Sequence, residues 1–388
     1  MRIIHTSDWH IGRRFERESL EADQRSFLVW LADQVREHAV DLVIVAGDVY
    51  DRSQPAEDAV ALLDEGLDGL RAAGAEVALI PGNHDSARRL GFGAGRQSLG
   101  GVHLFADDQH APTPWVFAAG DERVAVVAVP YLDPYGVPGP LPSADGTPRS
   151  RTHEHVLADA VEAGRGGLDP TDPLPTICVA HAYVSGAEES DSERALSIGG
   201  TDRVDPSVLA GFDYVALGHL HRPQRIGGDD AFAYSGSPLP YSFSETHPKS
   251  VRLLDMAAGG LTGVTTIAVP VGRPVVTLTG TLDQLLTDPD HDRYLDHWVA
   301  ARLTDETVQT QPMERLRDRF PHAVHLRYAP RDDEAATMST GPVRSPLDER
   351  PLEDVVVEFL TEIRGQEPSR SERGLVRDAL DSAARADR

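Results

Sequence analysis

The chain has 388 residues, 40% of them hydrophobic, so it can bury a core larger than that of one small domain. The formal net charge of −25, with Lys249 as the only lysine, argues against a protein that coats DNA through basic side chains alone. A single cysteine excludes an internal disulfide and suits the reducing cytoplasm, and no apolar run approaches the ~20 residues of a membrane helix. We expect no signal peptide, because a strand-like stretch begins at Arg2.

Continuous apolar runs alternate with helical stretches through the first two-thirds of the chain. After the strand at Arg2, one helix is expected over about 20–38, and a second between Ser53, a candidate N-cap, and Gly74. Short continuous apolar runs indicate strands that are buried on both faces, and they cover 42–46, 77–80, 124–129, 177–180 and 214–217. This alternation predicts an α/β fold in which helices cover sheets.

The remainder of the chain changes in character. Residues 133–150 are rich in proline and glycine and are predicted to form a long surface loop. Beyond about residue 269, the stretches 275–279 and 323–328 predict strands of a second, smaller unit. Residues 340–351 are typical of a linker, and 355–363 and 374–383 have helical spacing.

Five short motifs place Asp, Asn or His directly after strand-like runs. They are Asp8-Trp9-His10, Gly47-Asp48-Val49-Tyr50-Asp51, Gly82-Asn83-His84-Asp85, His181 and Gly218-His219-Leu220-His221. Each motif alone is weak, but ligands in α/β folds gather at the carboxyl ends of strands, so the five are expected to meet. Carboxylate, amide and imidazole ligands together favour Mn²⁺ or a similar transition metal over Mg²⁺ alone, and a ligand set without cysteine makes structural zinc unlikely.

The motifs supply enough ligands for two adjacent cations. Two cations about 3.5–4 Å apart need an anion between them, and Asp48 is the natural bridge. Asp8 and His10 can hold one ion, and Asn83 offers an amide oxygen to the other. Two histidines at one-residue spacing are expected to divide between the ions: His219 and His221. A pair of cations clamping the oxygens of a phosphoryl transfer is the chemistry of a phosphoesterase.

Further residues lie beside these ligands. His84 is placed to contact the phosphate or to protonate the leaving oxygen, with Asp85 orienting its ring; a hydrogen-bonding role behind the site is the alternative. Asp51 either acts at the site or supports the start of the following helix. Five arginines close to the motifs are candidate DNA phosphate contacts, with surface solvation as the alternative: Arg13, Arg14, Arg52, Arg88 and Arg89.

Together these residues resemble the calcineurin-like metallophosphoesterases. The flanking stretches are similar to one branch, the SbcD nuclease subunits of bacterial SbcCD complexes, at 48–53, 196–201, 218–224 and 234–240. The resemblance is strong over 1 to about 270 and fainter beyond. It implies a two-sheet α/β sandwich flanked by helices (α-β-β-α), with a small α+β capping domain and C-terminal helices. The domains expected are a nuclease domain over 1–268, a capping domain over 269–340 and a linker with a helical partner-binding region over 341–388.

The resemblance also implies roles for the site residues. It places one Mn²⁺ on Asp8, His10, Asp48 and His221, and a second on Asp48, Asn83, His181 and His219. It gives His84 a role in the transition state. Archaeal and eukaryotic relatives carry a second catalytic histidine where this chain has Asp51, and an anion cannot donate a proton or attract phosphate as imidazolium does.

The activity implied is that of an exonuclease on double-stranded DNA ends and an endonuclease on hairpin or single-stranded DNA, in DNA repair, recombination and replication. The expected partners are DNA and an SbcC-type ATPase subunit, with a homodimer inside a heterotetramer, in the cytoplasm at the nucleoid and without a membrane. One alternative is a small-molecule or cyclic-nucleotide phosphodiesterase of the same superfamily. The other is a non-catalytic scaffold, which usually lacks ligands, and here none is missing.

Overall fold

A computed structural model of the chain describes residues 1–143, 146–193 and 203–329, together with 368–369, 372–375 and 377. The chain divides into two units, Met1–Tyr328 and Ala329–Arg388. The stretch 196–201, the predicted linker at 340–351 and the predicted helix at 355–363 lie outside the described residues. The helix predicted over 374–383 also lies outside them, except for Gly374, Leu375 and Arg377, which are helical. The domain boundaries at 268 and 340 stay predictions.

Strands and helices alternate along the unit Met1–Tyr328. Its N-terminal part contains β1 (Arg2–Thr6), β2 (Arg14–Phe15), β3 (Glu18–Ser19), α1 (Glu21–His38), β4 (Leu42–Ala46), α2 (Glu57–Ala73), β5 (Glu76–Ile80), α3 (Ala87–Leu90), α4 (Ala94–Gln97) and β6 (Val102–Leu104). Its middle part contains β7 (Trp115–Ala119), β8 (Glu122–Val129), α5 (His153–Gly166), β9 (Thr176–His181), β10 (Tyr183–Val184), β11 (Arg203–Val204), β12 (Tyr214–Gly218), β13 (Gln224–Arg225) and β14 (Phe232–Tyr234). Its C-terminal part contains β15 (Ser250–Ala257), β16 (Gly260–Ala268), β17 (Val275–Gly280), α6 (Leu282–Thr287), β18 (Trp298–Leu303), α7 (Pro312–Arg319) and β19 (Ala323–Tyr328).

The elements predicted within residues 1–329 are present, with one correction at a helix start. Each predicted strand is found, and the described residues within 133–150 form no helix or strand. The assignment of Ser53 as the N-cap of α2 is wrong, because the helix begins at Glu57 after Ala56, and no side chain caps it. The main-chain carbonyl of Ser53 instead accepts a hydrogen bond from Arg89, which keeps this residue in the preceding loop. Gly74 ends the helix with φ 116°, a left-handed conformation that suits glycine.

Two six-stranded sheets pack face to face. The first has the order β16-β15-β1-β4-β5-β6 and the second β13-β14-β12-β9-β8-β7. In each sheet the strands at the centre run parallel. Apolar side chains such as Ile44 and Ile177 fill the space between the sheets, while α1 and α2 cover the first sheet and α5 the second. The predicted α-β-β-α sandwich is therefore confirmed.

A smaller three-stranded sheet follows the sandwich. Strands β17, β18 and β19 are parallel, with α6 and α7 in the two connections. A capping box between Thr281 and Gln284 begins α6. Phe15 and Trp298 stack with ring centroids 5.4 Å apart, and this aromatic contact joins the small sheet to the short hairpin of β2 and β3. Among the described residues, no helix combines the length and apolar character required to cross a membrane.

Candidate metal centre

The five motifs meet where strands of both sheets end. Strands β1, β4 and β5 are parallel neighbours in the first sheet, as are β9 and β12 in the second, so their carboxyl ends lie at common edges. The N–H of Asp8 donates to the carbonyl of Gly47 at 3.0 Å, and that of His10 donates to the carbonyl of Asp48 at 2.9 Å. The first two loops are thereby joined through their main chains.

The backbone is strained at this point. Four of the candidate ligands have positive φ angles, namely Asp8 (54°), His10 (44°), Asp48 (51°) and His219 (110°). Such conformations are uncommon for residues other than glycine and cost of the order of 1–3 kcal/mol each. The surrounding structure must enforce them, and strain concentrated in this way is typical of a functional site.

Close approach between strands also requires glycine here. A Cβ atom at Gly218 would lie 1.8 Å from the carbonyl oxygen of Ala46, in the opposite sheet. A Cβ atom at Gly82 would lie 2.2 Å from Oδ1 of Asp48. The glycines of these motifs therefore let the ligand loops approach each other.

One group of ligands consists of Asp8, His10 and His221, all fully buried. Nε2 of His10 and Nε2 of His221 face each other at 3.1 Å. Two ligand atoms that each lie about 2.1 Å from one ion are roughly 3.0–3.5 Å apart, depending on the angle between them. The separation of the two ring nitrogens therefore fits a shared cation.

A second group surrounds Asn83. Its Oδ1 lies 3.0 Å from Nε2 of His181 and 3.1 Å from Nδ1 of His219. Nδ1 of His181 donates to the carbonyl of Ala46 at 2.9 Å, so Nε2 is the ring nitrogen that faces Asn83 and would bind a cation. These separations fit a second cation by the same criterion.

Asp48 lies between the two groups. Its Oδ2 is 3.5 Å from Nε2 of His10 and 3.5 Å from Nε2 of His181. Its Oδ1 accepts the N–H of His84 at 2.9 Å. Burial would raise the pKa of Asp48, but His181 and the other nearby imidazoles outweigh it and hold the pKa well below its ordinary value. One ionised oxygen thus faces both groups.

The remaining pKa shifts are those expected of a site that binds cations. Burial raises the pKa of Asp8 to about 6 and lowers the pKa of His10 and of His219 well below the ordinary value. Burial would also lower the pKa of His181, but Asp48 raises it to about 9. His10 and His219 are therefore neutral ligands, whereas His181 holds a proton that a divalent cation would replace.

His84 lies at the edge of the centre. Its Nδ1 donates to the main-chain carbonyl of Asp51 at 2.8 Å, which leaves Nε2 available to a substrate. The carboxylate of Asp51 lies 3.6 Å from Nδ1 of His10. The expectation that Asp85 orients the ring of His84 is wrong, because its carboxylate accepts three main-chain N–H groups at 2.9–3.0 Å, those of Val49, Tyr50 and Gly82.

The candidate arginines fall into two classes. Arg13 donates to Oδ1 of Asp51 at 3.2 Å, and its guanidinium lies 4.7 Å from the ring centroid of Tyr241, so it is engaged in the interior of the site. Four others are exposed: Arg14, Arg52, Arg88 and Arg89. Of these, Arg52 and Arg89 line a groove of about 800 Å³ that also contains Tyr50 and Ser86, which closely follow Asp48 and Asn83 in the sequence.

The structure adds side chains behind the centre that were not identified from the sequence. Tyr241 donates to the carbonyl of Trp9 at 2.7 Å, and its ring packs against those of His10 and His221. Three more polar residues surround His221: Ser192, Glu245 and Lys249. Lys249 stands out in the sequence only because it is the single lysine, and nothing in the sequence indicates that it lies beside His221.

Comparisons with known proteins show the family of the chain. The sequence model of the calcineurin-like phosphoesterase family matches residues 1–223, and that of the SbcD_C family, described as the type 5 capsule protein repressor C-terminal domain, matches residues 271–364. The SbcD chain of the SbcCD nuclease of Escherichia coli K12 is 31% identical, with 92% of this chain and 91% of the relative covered. The same protein of E. coli O157:H7 has the same identity and coverage.

Among solved structures, the protein TT1561 of Thermus thermophilus is similar at 15% identity and a TM-score of 0.39, covering 69% of this chain and 98% of that one, which is too distant to support an argument. The family model matches more than half of the chain, and the E. coli relatives match nearly all of it. The chain therefore belongs to the calcineurin-like phosphoesterases and, within them, to the SbcD family of SbcCD nuclease chains.

Proposed function

We propose that this chain is a metal-dependent DNA nuclease, the nuclease subunit of an SbcCD-type complex. The observation that supports this most directly is the position of Asp48, whose Oδ2 lies 3.5 Å from an imidazole nitrogen of each ligand group. A carboxylate oxygen shared in this way suits the two-cation clamp used in phosphodiester hydrolysis. The similarity to the E. coli SbcD chain over 92% of this chain supports DNA as the substrate.

The two ligand groups would each hold one divalent cation. Asp8, His10, Asp48 and His221 would bind the first, and the second would lie on a set that shares Asp48: Asn83, His181 and His219. The mixture of imidazole and oxygen donors favours Mn²⁺, with Mg²⁺ or another divalent metal as a substitute. When bound, the cations supply Lewis acidity and activate the water that attacks phosphorus.

The chain's own residues fix the ligands and handle the substrate. Asp48 balances positive charge between the two groups, while the carbonyl of Ala46 fixes the tautomer of His181. The carbonyl of Asp51 orients His84, so that Nε2 can donate to a phosphate oxygen or to the leaving oxygen. Asp51 thus acts on His84 through its main chain and on His10 through its carboxylate, which lies 3.6 Å away.

DNA would be contacted by the exposed arginines near the centre. Arg52 and Arg89 line the same groove, and Arg14 and Arg88 are exposed nearby in the sequence. Because the net charge is −25, these cations, the metals and a partner must together offset the repulsion of DNA. The partner proposed is an SbcC-type ATPase, bound by residues 341–388, with two copies of each chain acting in the cytoplasm at the nucleoid.

The test is hydrolysis by the purified full chain with Mn²⁺, with Asp48→Ala as the control. The substrates are an end-labelled linear DNA duplex, a DNA hairpin and bis-(p-nitrophenyl) phosphate, each assayed with and without an SbcC-type ATPase. Metal-dependent loss of the DNA label that the control lacks is the expected result. Turnover of the small diester without DNA cleavage, even with the ATPase present, would instead favour a small-molecule phosphodiesterase. Hydrolysis of none of them would favour a non-catalytic scaffold.

A further inference from the structure

The only lysine of the chain is buried behind the metal centre. Lys249 is 7% exposed, and its Nζ donates to the main-chain carbonyl of His221 at 3.1 Å and to Oγ of Ser237 at 2.9 Å. It also forms an ion pair with Glu245, which is itself buried. A buried ion pair is often less stabilising than apolar residues of the same volume. Its presence beside a candidate ligand therefore calls for a role other than stability.

The other partner of the ion pair faces the ring of His221. Oε1 of Glu245 lies 3.5 Å from Nδ1 of His221 and accepts the N–H of Tyr241 at 3.1 Å. The hydroxyl of Ser192 lies between ring and carboxylate, 2.6 Å from Nδ1 and hydrogen-bonded to Oε1. The side of His221 that faces away from His10 is thus occupied by a hydroxyl and a carboxylate.

The direction of these hydrogen bonds follows from the ionised carboxylate. A carboxylate only accepts, so Ser192 must donate to Glu245, and the serine oxygen must accept from Nδ1–H of His221. His221 then carries its proton on Nδ1 and presents the lone pair of Nε2 towards His10. Glu245 is an acceptor in this arrangement because it pairs with the ammonium group of Lys249 and receives the N–H of Tyr241.

We propose that Glu245 and Lys249 are positioning residues for His221. Glu245 acts through Ser192 to fix the tautomer that can bind a cation at Nε2, while Lys249 keeps Glu245 in place and holds the main-chain carbonyl of His221. This inference rests on the proposed function, because it assigns both residues to the first of the two proposed cations. In the second ligand group the same task falls to the carbonyl of Ala46, so the ion pair affects only one of the two cations.

This asymmetry provides the test. The metal-free chain is titrated calorimetrically with Mn²⁺, alongside the variants Glu245→Gln and Lys249→Met. In each variant we expect one Mn²⁺ to bind about 10–100-fold more weakly and the other to keep its affinity. Glutamine can donate to Ser192 and so reverse the hydrogen bonds, which favours the wrong tautomer of His221. Lys249→Arg keeps the cation, and it should restore most of the affinity lost in Lys249→Met.

The matched control is Arg252→Met. Like Lys249, Arg252 is a buried cation, and it lies three residues further along the chain, on β15. Its side chain pairs with Asp230 and contacts Tyr214, and neither of these is a candidate ligand. This variant should lower the melting temperature and leave both Mn²⁺ affinities unchanged. Ser192→Ala removes the intervening hydroxyl at a partly exposed position, and it gives a second measurement if Lys249→Met does not fold.

The outcomes separate the two proposals. The positioning role would be overturned if both Mn²⁺ affinities fell equally, or if neither fell in folded Glu245→Gln and Ser192→Ala. The proposed function would still stand in that case, provided that the wild-type chain hydrolyses bis-(p-nitrophenyl) phosphate. A wild-type chain that binds fewer than two Mn²⁺ and hydrolyses no diester would overturn the proposed function, and the positioning role with it. One weakened ion, with Arg252→Met unaffected, supports the role.

Discussion

The two halves of the candidate centre orient their imidazoles by different means. His181 is held by the main chain, through the carbonyl of Ala46 and through approaches that only glycine permits at Gly47 and Gly218. His221 is held instead by three side chains, those of Ser192, Glu245 and Lys249. Short motifs at strand ends therefore fix the main-chain half, whereas the side-chain half depends on residues that no local motif specifies. The predictions below test how separate the halves are.

The largest effect is expected where the halves meet. Asp48→Ala removes the oxygen that faces both groups, so we expect the chain to lose both Mn²⁺ ions and at least about 1,000-fold in hydrolysis of bis-(p-nitrophenyl) phosphate. Bound Mn²⁺ is measured after dialysis, with circular dichroism as the control for folding. A folded variant that retains two tightly bound ions would show that Asp48 does not bridge.

The second-largest effect is expected at His84, where a substitution should reduce activity and leave metal binding by both ligand groups unchanged. His84→Ala removes a ring held by Asp51, outside the proposed ligand sets, so activity should fall about 100–1,000-fold with two Mn²⁺ still bound. The same dialysis and hydrolysis measurements decide it. If His84→Ala and Asp48→Ala lost metal equally, the role given to His84 in the reaction would be wrong.

A third prediction breaks the main-chain half alone. Gly218→Ala forces a Cβ atom against the carbonyl of Ala46, the group that holds His181, and should lower the free energy of unfolding by at least about 2 kcal/mol. The Mn²⁺ bound near His181 should be weakened more than the one near His221. Gly69→Ala is the matched control, because its Cβ meets no atom within 4 Å in α2, and it should stabilise by up to about 1 kcal/mol. Equal destabilisation by both substitutions would contradict the close-approach argument.

The smallest effect is expected from the titration of His5, whose buried side chain lies between β1 and β12. His5 on β1 contacts Oη of Tyr214 and the carbonyl of Leu217 on β12, and burial, with Arg252 nearby, lowers its pKa to about 3. The unfolded chain binds this proton near pH 6.5, so the stabilisation is complete above pH 6.5 and is lost as the pH falls towards 3. The loss is at most about 1.4 kcal/mol per pH unit.

The measurement for His5 is chemical denaturation between pH 7.5 and 5 in EDTA, with the wild-type chain and His5→Gln compared. Glutamine stays neutral at every pH, so the difference in unfolding free energy between the two chains should change over this range. Because the metal ligands titrate in both chains, their contribution cancels in that difference. Parallel pH profiles would refute the assignment of a neutral buried His5.

The α/β layering and the clustering of the ligand motifs could be predicted from the sequence for one physical reason, whereas the two-sheet sandwich was implied only by the family resemblance. Apolar runs indicate buried parallel strands, and parallel strands end at a common edge, so Asp8, Asp48 and His219 could be placed near one another before their contacts were known. The fate of Asp85 could not be predicted, because its three hydrogen-bond donors come from loops that meet only in the folded chain. Glu245 and Lys249 were missed because neither follows the carboxyl end of a strand.

Lys249 has a practical consequence for chemistry on the intact protein. It is the only side-chain amine in 388 residues, and it is buried. Amine-reactive cross-linkers will therefore find no exposed lysine side chain on the folded protein, whereas carboxylate-reactive reagents can target its 62 acidic side chains. Conversely, protein made with nitrogen-15 lysine would give a single side-chain ammonium signal, which comes from the interior beside His221. One isotope-labelled amino acid would then report on the metal centre without any mutation.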